Sequence, residues 1–511
     1  MLNRSRALAS AAVVAIVTGL GAPAWAETLQ DAIALAYQTN PSLLAQRANQ
    51  RALDETVVQA RSGLRPTLSA SAGVDYTRSD FPSTTQFVDT NGDGVPDTQV
   101  TSSSSESDTA NAGISLSQNL WTGGRTARAI DQARAGVLAG RENLRDIEQQ
   151  VMLSVIQAYV NVTRDMEILR IRQENLTVLQ RQLEETSARF EVGEVTRTDV
   201  AQAEASLAQS EADLASAQAQ LSTTRAAYAA VVGQAPADLE AAPALPETPT
   251  DFDVALETAL AANPGVLAAI YNQQAAEAAV AAARAEYMPS VRATASYGGA
   301  ATDVGNLDEL ADRRTFTAGA TLSVPLFTGG LNRSRVAQAL EQANAAQISV
   351  EGQRRATLQD VSSAFAQVLS SRSNVAAGEE AVRAASVAAE GVRQEAQVGL
   401  RTTLDVLNQE VTLRSAQTAL ANARAAEYVA RASLLAAMGG LQGPNLNPTI
   451  ETYDPASNYD RVQHRGGLPW DGVVEALDRV ASPPIVAAVD APDAPVDGQL
   501  KGEIVRTAPR D

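Results

Sequence analysis

The sequence predicts an α+β fold that is internally duplicated, with one β-hairpin and one long helical hairpin in each half. Two observations support this prediction. Five short sequence landmarks recur in the same order in both halves. Each half also changes from a hydrophobic period of two residues, which is typical of strands, to a period of seven, which is typical of packed helices.

The most distinctive landmark is a nine-residue phrase that occupies residues 192–200 and returns at residues 398–406. Each copy contains a Val-Gly pair followed by Thr and Asp, and it lies between long stretches that lack proline. Glycine favours the end of a helix, whereas Thr and Asp favour the start of the next one. Each phrase is therefore predicted to form the tip of a helical hairpin.

The landmarks also set the predicted domain boundaries. In chain order we predict a signal peptide at 1–26, a first repeat at 27–233, a Pro-rich linker at 234–250, a second repeat at 251–439, and a Pro- and Asp-rich tail at 440–511 that is mostly extended or disordered. Within the repeats we predict β-hairpins at 67–120 and 290–327, and helical-hairpin tips at 192–200 and 398–406.

The composition excludes several classes of protein. The 511 residues carry a formal net charge of −19 and a single lysine, Lys501, so nucleic-acid binding, which requires clustered cations, is not expected. There is no cysteine, which excludes thiolate metal sites and lipid attachment through an N-terminal cysteine. Neither a catalytic set of residues nor a phosphate-binding loop is found, so we predict that the protein is not an enzyme.

The first 26 residues have the features of an export signal. Arg4 and Arg6 precede an apolar run at residues 7–20, and Ala24-Trp25-Ala26 forms a small-residue cleavage site. No later stretch approaches the roughly 20 apolar residues of a transmembrane helix. The mature chain is therefore expected to be exported without a helical membrane span.

Four stretches alternate between apolar and small polar residues, at 67–77, 110–117, 290–297 and 316–326. Their lengths approach the roughly 9–11 residues that a strand needs to cross a bilayer obliquely. A soluble, half-buried sheet is the alternative interpretation. Four strands cannot close a barrel on their own, so if the strands span a membrane, several chains must contribute strands to one barrel. Three chains would give a barrel of twelve strands, which is an even number.

The connection inside the first hairpin resembles the start of a calcium-binding loop. Oxygen-bearing side chains alternate along it before and after a glycine, at Asp89, Asn91, Asp93 and Asp97. The usual bidentate glutamate at the twelfth position is replaced by Val100. Weak calcium binding and an ordinary Asp/Asn/Gly turn both remain open. Apart from this calcium, no cofactor is expected.

A seven-residue repeat follows the first predicted β-hairpin, and another follows the second tip at Val406, Leu413, Leu420 and Leu434. In the first half Ile130, Val137, Leu144 and Val151 are each seven residues apart within a stretch that lacks proline. A sustained repeat of this kind predicts coiled-coil packing of long helices.

The duplication, the paired hairpins and the tip phrases together resemble the TolC family of outer-membrane efflux and secretion channels. The second tip, residues 398–407 (VGLRTTLDVL), is very similar to the family pattern V-G-x-R-T-x-x-D-V-L. The resemblance implies a homotrimer with a β-barrel in the lipid of the outer membrane and an α-helical barrel that extends into the periplasm. It also implies two partners, a periplasmic adaptor protein and an inner-membrane transporter that is either an ABC transporter or proton-driven.

The resemblance also implies a gate at the inner end of the helical barrel. Arg401 matches the family's gate arginine, and Thr198 and Asp199 match the residues that it binds in the closed state. Asp405 matches one aspartate of a ring that lines the constriction, and Asn408 stands where the family has a second aspartate.

The same resemblance implies that the tips contact the adaptor. The matching residues are Val192 and Gly193 in the first tip and Val398, Gly399 and Leu400 in the second. The expected function is thus a passive exit duct of a tripartite export system, with type I protein secretion as the leading system and small-molecule efflux as the alternative. An exported structural coiled coil, or a calcium-dependent surface protein without a pore, is the alternative from another class.

Overall fold

The computed structural model describes residues 27–88, 92, 94 and 97–487. The predicted signal peptide at 1–26 and the end of the predicted tail, 488–511, lie outside the described residues. The described helices and strands are, in chain order, α1 (Leu29–Thr39), α2 (Pro41–Ser62), β1 (Thr67–Val88), β2 (Asp97–Trp121), α3 (Arg125–Glu191), α4 (Arg197–Val232), α5 (Phe252–Ala262), α6 (Pro264–Ala285), β3 (Ser290–Ala301), α7 (Glu309–Asp312), β4 (Arg314–Ser323), α8 (Leu331–Gln397), α9 (Thr403–Ala437), α10 (Gly443–Leu446), α11 (Pro455–Val462) and α12 (Asp471–Arg479).

The chain folds into two compact units that are each discontinuous in sequence. The first unit comprises Met1–Asn40, Ser154–Leu245 and Ser371–Val429. The second unit comprises Pro41–Leu153, Pro246–Ser370 and Ala430–Asp511.

In the second unit the two β-hairpins join into one four-stranded antiparallel sheet with the order β1-β2-β3-β4. Residues that lie directly opposite each other on neighbouring strands point to the same face. One face carries a mainly apolar row across all four strands, formed by Ala70, Ile114, Tyr297 and Phe316. The other face carries a hydroxyl-bearing row, formed by Ser69, Ser115, Ser296 and Thr317.

The first hairpin is longer than the alternation predicted. The predicted strands at 67–77 and 110–117 are extended, so that β1 runs to Val88 and β2 begins at Asp97. Arg78 lies opposite Glu106, and their side chains form an ion pair at 3.2 Å. The backbone ladder continues through a Ser- and Thr-rich run that has no apolar alternation, which is why the pattern did not reveal it.

The seven-residue repeat that was predicted from Ile130 onwards is confirmed as a buried row of residues in the second unit. Ile130, Val137, Leu144 and Val151 are all buried, with exposed fractions of 0, 2, 4 and 7%. Ile130 and Val137 pack with Val57 of α2 in one hydrophobic cluster.

The tail that was predicted to be mostly extended or disordered contains three short helices, α10, α11 and α12. Polar contacts with the rest of the second unit fix α11 and α12. Asn458 of α11 donates a hydrogen bond to Asp54 of α2 at 2.8 Å. Asp478 of α12 is fully buried and accepts hydrogen bonds at the start of α3, from the backbone N–H of Thr122 at 2.5 Å and of Ala127 at 3.0 Å.

Equivalent asparagines make the same contact in the two halves of the duplication. In the first unit the Asn40 side chain donates to the carbonyl of Val231 at 3.1 Å. In the second unit the Asn263 side chain donates to the carbonyl of Ala437 at 3.0 Å. The two repeats therefore agree in side-chain detail as well as in the order of their elements.

Within the described residues no single helix is long and apolar enough to cross a membrane. One pair of helices, α5 and α6, passes by length and composition together, but it is bent by 40°.

Candidate functional site

The first repeated phrase forms a tight helix-to-helix turn in the first unit. Helix α3 ends at Glu191, and Gly193 follows with a left-handed φ of 79°. The N–H of Gly193 donates to the carbonyl of Phe190 at 3.0 Å, and the N–H of Glu194 donates to that of Arg189 at 2.9 Å. This pair of bonds closes the helix C-terminus, and a side chain other than glycine would be strained at this φ.

The second phrase repeats this geometry. Gly399 also has a φ of 79°, and its N–H donates to Ala396 at 3.1 Å. The N–H of Leu400 donates to Glu395 at 2.9 Å. Both nine-residue phrases are therefore hairpin tips with the same backbone.

Each tip then starts its second helix with a capping box. Thr196 accepts a hydrogen bond from the N–H of Asp199 and donates to the Asp199 carboxylate at 2.8 Å. Thr402 and Asp405 are arranged in the same way, with a hydroxyl-to-carboxylate distance of 2.9 Å. Bonds from the threonine backbone N–H and then from its hydroxyl lower the pKa of both aspartates. Asp199 and Asp405 thus stabilise the helix starts, a role that the resemblance did not imply.

The two tips carry ion pairs of opposite polarity. In the first, Arg189 of α3 pairs with Glu194 of the turn at 3.1 Å. In the second, Glu395 of α8 pairs with Arg401 of the turn at 2.8 Å. Arg189 and Glu395 occupy equivalent positions in the duplication, so aligning the two repeats would have revealed this reversal of charge.

The predicted gate residues lie together in part. Arg401 and Asp199 line one cleft of about 320 Å³ between the two tips. Among the described residues, Arg401 donates to Glu395 and not to Thr198 or Asp199. Thr198 and Asn408 are exposed, and Arg401 itself is half exposed. In a single protomer the arginine is therefore near one of its expected partners but is not bound to it.

The predicted adaptor-contact residues form an exposed apolar patch. Val192, Val398 and Leu400 are 73, 71 and 75% exposed, next to Gly193 and Gly399. Large apolar side chains that remain this exposed at a tip are typical of a surface that binds another protein.

A buried charge cluster that the sequence analysis missed also lies in the first unit. The Glu410 carboxylate of α9 is 2% exposed and forms ion pairs with Arg393 of α8 and with Arg414, the latter at 3.5 Å. Arg414 also lies 4.0 Å from Glu174 of α3 and so links the two helical hairpins. Glu410 and Arg414 line a cavity of about 710 Å³ between these hairpins. Their spacing of four residues on one helix is the only sequence signal for the cluster.

The predicted calcium site lies in the connection between β1 and β2. Asp89, Asn91 and Asp93 lie outside the described residues, as does the side chain of Asp97. In the part of the chain that the structure describes, no group of three or more His, Asp or Glu side chains is placed to hold a metal ion. Calcium binding by this loop stays a prediction.

Comparisons with known proteins agree with this architecture. The profile of the family described as outer membrane efflux protein matches residues 32–234 and 255–440. The chain is 35% identical to the outer membrane efflux protein BepC of Brucella suis, over 91% of this chain and 96% of BepC. It is 29% identical to the outer membrane protein TolC of Vibrio cholerae, over 81% of this chain and 90% of that protein.

Two further comparisons extend the range of relatives. The chain is 26% identical to the alkaline protease secretion protein AprF of Pseudomonas aeruginosa, over 78% of this chain and 82% of AprF. Its fold is similar to that of the outer membrane protein VceC of Vibrio cholerae, with a TM-score of 0.65, 23% identity, and coverage of 81% of this chain and 96% of VceC. The chain therefore belongs to the outer membrane efflux protein family and is a TolC-family channel protein of the outer membrane, not an enzyme.

Proposed function

We propose that three copies of this chain form one continuous duct, with a twelve-stranded β-barrel in the outer membrane and an α-helical barrel in the periplasm. TolC-family channels work in tripartite systems with a periplasmic adaptor and an inner-membrane transporter. In this proposal the duct is passive, and the inner-membrane transporter, either an ABC transporter or a proton-driven one, supplies the energy.

The main support for the proposal is that one face of the sheet is apolar and the other is polar. Its apolar face includes Tyr297 and Phe316, which are 48 and 70% exposed in the single chain. Its other face is lined by small hydroxyl-bearing residues. Apolar side chains facing lipid and polar ones facing water are the arrangement of a membrane β-barrel. Strands β1 and β4 form the edges, and open edges are not tolerated in lipid, which favours pairing of β4 with β1 of a neighbouring copy.

Cysteine cross-linking tests this pairing directly because the natural chain has no cysteine. A cysteine at Ala72 of β1 would be combined with single cysteines scanned along β4, such as Ala320→Cys. We expect disulfide-linked dimers and trimers on non-reducing gels for the pairs that come into register. The Ala72→Cys single variant is the matched control. Linkage at no position of β4 would contradict the barrel.

The proposed gate lies at the helical-hairpin tips. We propose that Arg401 exchanges its Glu395 partner for Thr198 and Asp199 when the copies assemble, while Asp405 and Asn408 line the constriction. A charge-assisted hydrogen bond that is partly screened by solvent stabilises the closed state by about 1–3 kcal/mol, which is weak enough for a partner protein to break. Thr198→Val removes one proposed partner of Arg401, and Thr198 does not cap a helix. Glu395→Gln instead removes the charge of the residue that Arg401 contacts in the single chain. The proposal predicts that only Thr198→Val increases the conductance of the purified channel.

The exposed apolar patch at the tips is the proposed adaptor-binding surface. Replacing Leu400 with Ser, or Val192 with Ser, should weaken binding of the adaptor without changing conductance in bilayers. The loss of binding free energy should be larger for whichever of the two side chains the adaptor buries more fully, because each apolar side chain buried fully against a partner contributes about 1.5–3 kcal/mol. Pull-down of the adaptor with each variant measures it, and unchanged binding by both variants would contradict this placement.

For the exported substrate we propose protein, as in type I secretion. The chain lacks the cysteine that would anchor a lipid, it has a long acidic tail, and AprF is described as a protease secretion protein. The alternative is a small molecule, because BepC is described as an efflux protein. A deletion strain distinguishes the two by comparing proteins lost from the culture medium with the change in drug susceptibility.

A further inference from the structure

The first described residue, Glu27, is buried in the first unit although it follows directly on the predicted signal peptide. Its exposed fraction is 8%. Its carboxylate accepts hydrogen bonds from the Tyr228 hydroxyl at 2.7 Å, the Gln234 amide at 3.0 Å and the backbone N–H of Ala237 at 3.2 Å. All three donors are electrically neutral.

The backbone of Glu27 is held just as closely. Its N–H donates to the carbonyl of Asp238 at 2.8 Å, and its carbonyl accepts from the N–H of Glu240 at 3.1 Å and from the Tyr159 hydroxyl at 3.0 Å. Glu27 also forms an isolated parallel bridge with Leu239. One residue thus ties the Pro-rich linker to helices of the first unit.

This arrangement leaves a buried negative charge without a cation. Within the described residues no arginine, lysine or histidine forms an ion pair with Glu27. Burial, followed by the charges of Glu27 and Glu240, raises the pKa of Tyr159 to about 12, and burial and the bond to Glu27 raise that of Tyr228 as well. Hydrogen bonds from neutral groups offset only part of the cost of burying a carboxylate, so a positive charge at this site would stabilise the first unit.

We propose that Glu27 is the first residue of the mature protein and that its own α-ammonium group supplies this positive charge. A signal peptidase would hydrolyse the Ala26–Glu27 peptide bond. Water adds to the Ala26 carbonyl, the C–N bond breaks, Ala26 leaves as a carboxylate with the signal peptide, and the released amine of Glu27 takes a proton. The amide nitrogen, which carries one hydrogen, becomes an ammonium that carries three and a positive charge.

Signal cleavage then completes the fold of the first unit as well as releasing the chain. One hydrogen of the ammonium keeps the bond to Asp238, and the charge offsets the Glu27 carboxylate on the same residue. An unprocessed chain, or one cleaved elsewhere, places a neutral amide at this position and leaves the buried carboxylate unpaired. The inference requires export to the outer membrane but not a particular gate or substrate.

Amine labelling tests the proposal because the chain has a single lysine. In a Lys501→Arg background, the α-amine is the only group that an amine-reactive ester acylates. Mass spectrometry of the purified protein should give Glu27 as the first residue. At neutral pH the native protein should be acylated at least about tenfold more slowly than the denatured protein, since a buried amine reacts only after local opening. A different first residue, or equal rates in both states, would overturn the proposal.

A second comparison separates charge pairing from simple burial. Inserting Gly-Ser between Ala26 and Glu27 moves the ammonium away from the site but keeps the Glu27 side chain. Glu27→Gln should lower the thermal midpoint of the normally processed protein. It should have a much smaller effect in the protein with the Gly-Ser insertion, because the Glu27 carboxylate there has already lost its cation. Equal effects of Glu27→Gln in the two proteins would contradict the pairing. Both readouts concern the N-terminus alone, so they stand apart from any measurement of conductance or export.

Discussion

The contact between α12 and α3 gives the most quantitative prediction for this fold. Helix α3 begins at Arg125, and its first N–H groups have no partner within the helix. The buried Asp478 carboxylate accepts from the N–H of Thr122 at 2.5 Å and of Ala127 at 3.0 Å, and from the Thr122 hydroxyl at 2.9 Å. It therefore caps a long helix from a distant part of the chain, and its charge also favours the helix N-terminus.

Substituting Asp478 with Ala removes the acceptor of three buried N–H groups, those of Thr122, Gly124 and Ala127, and the longest of the three bonds is that of Gly124 at 3.4 Å. Each such loss costs about 1–3 kcal/mol, so we expect local opening at the start of α3 to become about 3 kcal/mol easier, which is on the order of 100-fold. Asp478→Asn keeps one acceptor oxygen but loses the charge, and it should have an intermediate effect of about tenfold.

Hydrogen–deuterium exchange at the amides of Thr122 and Ala127 measures this opening. The matched control is Asp471→Asn on the same helix, because Asp471 pairs with Arg65 at 2.8 Å but is partly exposed. This pair is only partly exposed, but among the described residues it makes no hydrogen bond or ion pair with the start of α3, so exchange at Ala127 should change by less than about fivefold, which is less than about 1 kcal/mol. Unchanged exchange at Ala127 in Asp478→Ala would refute the capping role.

Two further predictions concern the first unit. Glu410→Ala removes the buried carboxylate between Arg393 and Arg414. Loss of one partner of a buried ion pair should lower the free energy of unfolding by about 3 kcal/mol, and by somewhat less here because Arg393 is partly exposed. A thermal midpoint that shifts by less than about one degree would contradict this role of Glu410. The lowered pKa values of Asp199 and Asp405 mean that their stabilisation is complete above the ordinary value of 3.8 and is lost as the pH falls through the lower folded values. Amide exchange in the first turns of α4 and α9, corrected for the intrinsic rate, should therefore rise as the pH falls from about 5 to about 2, and protection that stays constant over this range would contradict the assignment.

The parts of the fold that the sequence predicted depend on local patterns. The seven-residue spacing from Ile130 predicted the buried row of residues, and the Gly and Thr-x-x-Asp signals predicted the two tips. The second helix of each hairpin begins inside the predicted tip, at Arg197 and at Thr403. The alternation of apolar and polar residues predicted four strands and their faces. Each of these patterns is repeated many times within a few turns or along one strand, so no knowledge of distant contacts is needed.

The parts that it missed depend on long-range contacts. Asp478 looks like an ordinary solvent-exposed aspartate in a Pro-rich tail until α12 is placed against the start of α3. The partner of Arg401 was expected to be Thr198 or Asp199, whereas Glu395 lies closer in a single protomer because both flank the same turn. The Glu410 cluster was missed because a charged residue on a helix is far more often solvated than buried.

Single-channel conductance shows whether this protein is a pore and whether the tips set its resting state. The purified protein would be inserted into planar bilayers as wild type, as Arg401→Ala and, for comparison, as Glu395→Gln. We predict small cation-selective steps for the wild type and Glu395→Gln, and larger steps for Arg401→Ala. Steps that Arg401→Ala leaves unchanged would remove the gate from the tips, and no conductance from protein verified as membrane-inserted would contradict the pore itself.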